Sequence, residues 1–503
     1  MGARFSFGKI QFDLSPGAAA ARAPRDSETP FSLAVLGDFS GRSSRGLVEP
    51  IAARRPLHID CDNFENVLAK FGATLRLPSP SQADETINLR IEKVDDFHPD
   101  QLLRNVGPLA SLLEARRELL NPATASSALA RLQARFSPPA GEAKPNAPQP
   151  PTESTEATLA RLLGERPATP PASKSAATGI DLNALIRNIV APSVVPSASA
   201  EQSVYLAAVE AESARILRAI LRNAAFQNLE ATWRGLDRLV RDFGAEENLK
   251  LHVIDISKEE LAADLQAQEE LALTGAFKLL RNHPWAVLAG HYTFSERVED
   301  IELLGRLAKV SALVGAPFIA AASPGFVGCD SFGQHHDPDD WKRPMPDESR
   351  AAWRSLRELP EAPYLGLVLP RFLLRQPYGK SSDPIETFPL EELSDGSPHE
   401  AYLWGNPALV CGRLLVEAFG AEGWEMSADG SGEIGELPVH KFKQEGETQV
   451  KPCAEAWLSD RAAEVILKQG IMPLLSIKGR DAARLVRLQS ISSPPKSLSL
   501  RCR

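Results

Sequence analysis

From Phe226 to Phe243 apolar residues recur at steps of three and four: Phe226, Leu229, Trp233, Leu236, Val240 and Phe243. That spacing puts all six along one stripe of a helix. The polar stretch Gly244 to Asn248 ends it, and Leu249 to Ile256 follows as a predominantly apolar strand. Ser257 with Glu260 three residues later has the spacing of a capping box, which predicts a second helix start. An apolar run from Ala286 to Gly290, a helix from about Val298 to Val314, and a second run from Pro317 to Ala322 continue the alternation. Strands that alternate little and are separated by helices are buried on both faces. The pattern therefore predicts an α/β layered sheet.

Upstream, Arg4 to Leu14 reads as extended, and Phe31 to Leu36 as a strand closed by Gly37. Asp60 or Asp62 is the expected N-cap of a helix carrying Phe64, Val67, Leu68 and Phe71 on one face. Thr86 to Ile91 alternates as a half-buried strand should, and Asp96 to Asn121 reads as one helix. These elements predict a small α+β unit over residues 1–125. Downstream, Leu365 to Leu369 is a buried strand, and Pro407 to Phe419 is a helix opening on proline. Leu437 to Phe442 and Gln449 to Pro452 suggest a hairpin around Glu445 and Gly446. Ala454 to Lys468 reads as a helix ended by a left-handed Gly470. Met472 to Ile477 and Ala483 to Ile491 read as paired strands, or as a strand and a short helix.

Composition changes this picture in the middle of the chain. Ser137 to Ser175 holds nine prolines and few large apolar residues, too little to offset the entropy of ordering it. The expected division is a small domain at 1–125, a disordered linker at 126–178, and a large α/β domain at 179–503. Within the last, 179–200 is an exposed helix, 201–491 the core and 492–503 a tail. The stretch Asp181 to Val190 is amphipathic, with Leu182, Leu185, Ile186 and Ile189 on its apolar face. Two readings remain open for it: it docks on its own domain, or it is presented to a partner.

Of the 503 residues, 43% are hydrophobic and 24% charged, which provides ample material for a core. A net charge of −9 without any basic block argues against nucleic acid as a partner. No apolar run is long enough for a transmembrane helix, and the N-terminus has no secretory pattern. Five scattered cysteines without CxxC spacing fit a reducing compartment, so the expected location is cytoplasmic.

Candidate chemistry fails on context. Gly430 to Gly435 matches GxGxxG but follows no strand and opens no helix, so a loop is expected there. His335, His336, Asp337, Asp339 and Asp340 are dense in metal-ligand types, yet adjacent histidines on a proline-containing loop lack ligand spacing. Ser323 has no glycine two residues before it, and Gly41 to Gly46 lacks the Lys-Ser/Thr of a phosphate loop. The acidic pairs Asp95-Asp96 and Glu391-Glu392 read as solvated faces. No enzyme activity and no cofactor are expected.

Several stretches carry a resemblance. Leu33 to Arg42 (LAVLGDFSGR), Ile59 to Lys70 (IDCDNFENVLAK) and Asp95 to Asp100 (DDFHPD) resemble the small, TssB-like sheath subunit of the bacterial type VI secretion system. Phe226 to Leu236 (FQNLEATWRGL), Leu251 to Leu261 (LHVIDISKEEL), Ala316 to Pro324 (APFIAAASP) and Gly405 to Pro407 (GNP) resemble the large, TssC-like subunit. The resemblance implies a fused sheath protomer. Copies stack into a helical tube around an inner-tube protein, meet baseplate components, and contract to drive effector delivery. It also implies an AAA+ unfoldase as recycling partner, with Leu182, Leu185, Ile186 and Ile189 as its docking face. The family's large subunit extends further beyond the equivalent of Met472 to Ser476 than this chain does. An alternative is therefore a sheath-like accessory or cap that does not polymerise. An alternative of another class is a metal-dependent hydrolase using His335, His336 and Asp337.

Overall fold

The computed structural model describes residues 5–7, 10–12, 28–80, 86–136, 198–243, 248–394, 396–427, 430–444 and 446–500. The chain forms two compact units. One comprises Met1–Leu77, Ile87–Val106 and Leu217–Arg503; the other comprises Pro78–Thr86 and Gly107–Ile216.

The first part of the chain supplies β1 (Phe5–Phe7), β2 (Ile10–Phe12), β3 (Phe31–Gly37), α1 (Arg42–Arg45), β4 (Leu57–Ile59) and α2 (Phe64–Phe71). After them come β5 (Ala73–Pro78), β6 (Thr86–Ile91), α3 (Pro99–Asn105), α4 (Gly107–Leu120) and α5 (Ala125–Phe136). The later part opens with α6 (Ala198–Leu221), α7 (Ala224–Phe243), β7 (Leu249–Asp255), α8 (Lys258–Gln266) and α9 (Gly275–Leu280). It continues through β8 (Val287–Phe294), α10 (Val298–Val314), β9 (Phe318–Ala322), α11 (Asp347–Arg357), β10 (Leu365–Leu369), β11 (Phe372–Leu373) and β12 (Trp404–Gly405). It closes with α12 (Ala408–Glu422), β13 (Gly432–Ile434), β14 (His440–Gln444), β15 (Glu447–Lys451), α13 (Asp460–Lys468), β16 (Met472–Ser476) and β17 (Ala483–Leu485).

The α/β expectation holds. Nine strands form one sheet in the order β13-β17-β16-β10-β9-β8-β3-β7-β4. From β16 to β7 all neighbours are parallel, whereas β4, β17 and β13 run antiparallel to the strands they join. A parallel interior needs cover on both faces, and the apolar runs read from the sequence meet that need. Ala34 and Leu36 face a core shared with Leu261, Leu304 and Phe318. On the opposite face α12 lies close over β3: a Cβ on Gly412 would sit 3.2 Å from the Leu33 side chain. The capping box also forms, with Ser257 Oγ accepting from the Glu260 N–H and Glu260 accepting from the Ser257 N–H, both at 3.1 Å.

The strand at Phe31–Gly37, read from the sequence as part of a small N-terminal unit, lies inside this large sheet between β7 and β8. Apolar patterning marks a strand as doubly buried, but it does not say which neighbours bury it. The expected single helix at 96–121 is broken. Val106 is extended (φ −94°, ψ 116°), and Pro108 follows Gly107, so α3 and α4 are separate. Neither Asp60 nor Asp62 caps α2, which starts after Asn63. Asp60 instead organises the preceding turn, accepting from the N–H groups of Asp62 (3.1 Å) and Asn63 (2.9 Å). The helix expected from Ala454 begins only at Asp460, capped by Ser459 Oγ; before it Cys453, Ala454 and Glu455 are buried and irregular. Gly470 does adopt the left-handed conformation, at φ 81°.

Among its described residues the second unit is mainly helical. Leu119 of α4, Ala128 and Leu129 of α5 and Val209 of α6 make its small core. Arg116 Nε donates to Glu210 at 2.8 Å, and Gln202 Nε2 to the Leu119 carbonyl at 2.5 Å. The first residues of the 126–178 segment are therefore helical. Leu129 and Leu132, spaced for one face, find an apolar partner that composition alone does not reveal. Residues 137–178 lie outside the described residues.

Gly290 illustrates how tightly the sheet centre is packed. A Cβ there would lie 2.3 Å from Phe318 Cζ and 2.8 Å from its Cε2. Gly290→Ala is expected to destabilise the fold by about 1–3 kcal/mol, the usual range for overpacking. Urea unfolding followed by tryptophan fluorescence measures it, and an unchanged midpoint contradicts the packing described.

Candidate functional site

No catalytic constellation stands out among the described residues, so the candidate site is the place where the early and late parts of the chain interlock. Strand β3 pairs along its whole length with β7, from Phe31 opposite Leu249 to Gly37 opposite Asp255. Its other edge pairs Leu33 to Leu36 with Val287 to Gly290. Beyond the strand ends, Phe31 N–H donates to the Asn248 carbonyl (2.8 Å), Ala286 N–H to that of Ser32 (2.8 Å), and Ile256 N–H to that of Gly37 (2.9 Å). Both backbone edges are consumed, as a buried strand requires.

Past Gly37 the chain turns over the carboxyl end of the sheet, where charges hold it. Asp255 accepts from Phe39 N–H (2.8 Å), Ser40 N–H (3.2 Å) and Ser40 Oγ (2.7 Å). Glu260, only 1% exposed, accepts from Arg54 Nη2 (2.5 Å), Arg54 Nη1 (2.9 Å), Arg42 Nε (3.0 Å) and Glu49 N–H (3.1 Å). Burial by itself would raise this carboxyl. Hydrogen bonds from Arg54, from the Ser257 and Glu49 N–H groups and from Arg42 outweigh it and hold the pKa at about 2.

Aromatic packing and two further polar contacts extend the joint. Trp233 of α7 donates Nε1–H to the Phe39 carbonyl at 2.9 Å. The rings of Phe39, Phe64 and Phe71 surround it at centroid distances of 5.3, 5.8 and 5.8 Å. Asp100 accepts from the N–H groups of Glu386 (2.9 Å) and Thr387 (3.2 Å) and from Thr387 Oγ (2.5 Å). Beneath α7, Glu230 is fully buried between Arg234 Nε (2.7 Å) and Arg375 Nε (2.8 Å), and Arg375 continues to Glu392 (2.7 Å). Burial opposes ionisation of Glu230, and the two guanidiniums override it, so its pKa lies below the usual carboxylate range. Glu392, expected on a solvated face, is 1% exposed; its partner Arg375 stands 17 residues away in sequence.

The other candidates fall elsewhere. His335, His336 and Asp337 sit on a loop whose polar groups serve its own turns. The Trp341 Nε1–H donates to the His335 carbonyl (3.2 Å), and Asp337 accepts from Asp339 N–H (2.9 Å). Asp339 pairs with Arg461. The three side chains do not converge on a common point, because adjacent residues on a turn point apart. A convergent set does exist at His399, Glu400 and Glu455, where sequence spacing gave no signal. Arg371 binds Glu400 (2.8 and 2.9 Å) and Glu455 (2.5 Å), while Lys451 Nζ lies 2.8 Å from His399 Nδ1. Two cations already match the two carboxylates, so the charge a divalent ion would need is spent. The glycine-rich stretch 430–435 is not a loop throughout: Gly432–Ile434 is β13, paired with β17 at the sheet edge. Leu182, Leu185, Ile186 and Ile189 lie outside the described residues.

Removing the Glu260 charge tests the joint. Glu260→Gln leaves two guanidiniums facing a neutral amide and is expected to cost about 3 kcal/mol in unfolding free energy. Because the folded pKa is depressed, the contribution of Glu260 is full above its unfolded value near 4.5 and is lost as pH falls toward about 2. Wild type should therefore lose more stability than Glu260→Gln between pH 5 and 3, as read by urea unfolding across pH. Parallel pH curves would contradict the assignment.

Comparison with known proteins identifies these two parts of the chain. Residues 203–492 match the tail sheath N-terminal domain family (VipB, EvpB), and residues 9–135 match the type VI secretion system VipA family. The chain is 35% identical over 360 residues to the type VI secretion system sheath protein TssC1 of Pseudomonas aeruginosa, a match covering 68% of this chain and 72% of that protein. It is 32% identical over 106 residues to the sheath protein TssB1 of the same organism, covering 20% of this chain and 59% of that protein. A VipA-type segment thus contributes β3 and β4 to a sheet whose other strands are VipB-type, and the chain belongs to the type VI secretion sheath family, with both kinds of sheath subunit in one polypeptide.

Proposed function

We propose that this protein is the structural protomer of a type VI secretion sheath and that it builds a helical tube from copies of itself around an inner-tube protein in the cytoplasm. The observation that carries the reading is the position of β3 between β7 and β8, which gives one chain the parallel sheet that two sheath subunits would otherwise assemble. Its work is mechanical rather than catalytic. A sheath draws on packing between protomers that can adopt two arrangements, and an open helix arises from head-to-tail contacts that do not close. A protomer with a rigid core transmits such a rearrangement without deforming.

The proline-rich segment within 126–178 acts in this reading as a tether that fixes the ratio of the two halves at one to one. Baseplate components meet the end of the tube. The apolar face formed by Leu182, Leu185, Ile186 and Ile189 is offered to an AAA+ unfoldase that recycles spent sheath.

Negative-stain microscopy of the protein, alone and with inner-tube protein, tests the assembly. Tubes or stacked rings are expected, and added unfoldase should dismantle them unless Leu185 and Ile186 are changed to Asp. A particle that stays monomeric under every condition would end the proposal. The joint is tested separately by placing a protease site between residues 137 and 178. After cleavage the two fragments should co-elute in gel filtration without denaturant, held by β3 and the Glu260 cluster. Fragments that separate would show that the covalent link, not the fold, joins them.

A further inference from the structure

Where the end of β15 meets the segment before β12, an amine, an imidazole and a carboxylate form a hydrogen-bonded chain. Lys451 Nζ lies 2.8 Å from His399 Nδ1, and His399 Nε2 lies 2.9 Å from Glu455 Oε1. An ammonium group can only donate. Nδ1 therefore accepts, and the ring's own proton sits on Nε2, from which it is donated to Glu455. We propose that Lys451 is a reactive amine and the site of acylation by small acyl phosphates, with His399 as the base that takes its proton and Glu455 as the residue that orients the imidazole.

The geometry has the parts an activated nucleophile needs: a base within hydrogen-bond reach, and a third group that holds the base in one tautomer. Glu455 is itself held in place. It is 2% exposed and accepts from Arg371 Nε at 3.2 Å and Arg371 Nη2 at 2.5 Å. Its backbone lies in the left-handed region at φ 58°. A non-glycine residue is strained there, and such strain persists only where the surrounding contacts impose it. Trp404 stacks on the His399 ring at a centroid distance of 4.8 Å, which fixes the plane of the imidazole. Lys451 is half-buried, with Nζ 5.2 Å from the Tyr402 ring centre and 5.7 Å from that of Trp404. An amine so placed is open to a small electrophile and closed to a bulky carrier. Burial lowers the Lys451 pKa below the ordinary lysine value; Glu455 opposes the shift, Arg371 adds to it and Glu400 opposes it. His336 and His440 are the other titratable groups within its field.

The step balances with the acyl phosphate as its single co-reactant. His399 Nδ1 takes one proton from the Lys451 ammonium, and the freed lone pair attacks the acyl carbon. The C–N bond forms as the C–O bond to phosphate breaks. The imidazolium, stabilised by Glu455, gives its proton to the departing phosphate, and the second surplus proton on nitrogen passes to water. The amide that results is uncharged. Arg371 is then the cation left to face both Glu400 and Glu455, and the cation beside Tyr402 and Trp404 is gone. Acylation therefore loosens the place where the β14–β15 hairpin joins the 399–404 segment.

Incubation of the full-length protein with acetyl phosphate, followed over time by peptide mass spectrometry, tests the proposal. Lys441 and Lys443, exposed on the neighbouring strand β14, are internal references. At neutral pH Lys451 should be acetylated at least about fivefold faster than either, although it is less exposed, and its rate should level off at a lower pH than theirs. His399→Gln should slow Lys451 at least about tenfold and leave Lys441 and Lys443 unchanged. Those two reference rates, with a matching melt, establish that the variant is folded. Acetylation of Lys451 no faster than the references, or with a pH profile parallel to theirs, overturns the proposal in the wild type alone, whatever the fold of the variant. A wild-type Lys451 rate in His399→Gln overturns it as well.

Discussion

Everything in the larger unit depends on β3 having two partners. A strand inside a parallel sheet must give every N–H and C=O to neighbours, because water cannot reach them. β3 bonds β7 on one side and β8 on the other, and both neighbours come from the far side of the proline-rich segment. Without β3 those two strands would face one another across an empty lane. The side chains of Leu33 and Leu36, on its two faces, would leave voids under α12 and in the core around Phe318. The VipB-type region is thus completed from within by the VipA-type region, and fusion in one chain makes the completing strand always available.

Around that strand the charges lie where each half can neutralise the other. Glu260 belongs to the later part of the chain and its guanidiniums to the earlier part. Buried ion pairs add little net stability compared with apolar packing, but breaking one strands a charge. Such pairs therefore penalise misaligned docking more than they strengthen correct docking. Glu230, Arg375 and Glu392 apply the same logic within the later part, pinning α7 to the segment that carries Tyr378. A protomer whose internal joints tolerate only one alignment suits an assembly in which movement belongs between copies.

Much of this architecture was legible in the residues. The stripe from Phe226 to Phe243, the capping box at Ser257 and Glu260, the runs at 286–290 and 317–322, and the glycine after α13 all report interactions within a few residues of themselves. So does the loop at 335–340, whose polar groups serve its own turns. The break at Val106 was also readable in principle, since Gly107 and Pro108 are local signals.

What patterning could not decide was every pairing across long separations. An apolar strand looks the same whether it sits in a small sheet of its own or in the middle of a large one, so the place of β3 waited on the tertiary structure. The burial of Glu392 and the helix at 125–136 have the same origin. Each depends on a partner supplied by chain topology: Arg375 for the acid, Val209 for the helix. Local periodicity sets what kind of element a segment becomes, because its physics acts over one or two turns. Which face meets which is a property of the whole chain, because only the closed sheet brings residues 31–37 between 249–255 and 287–290.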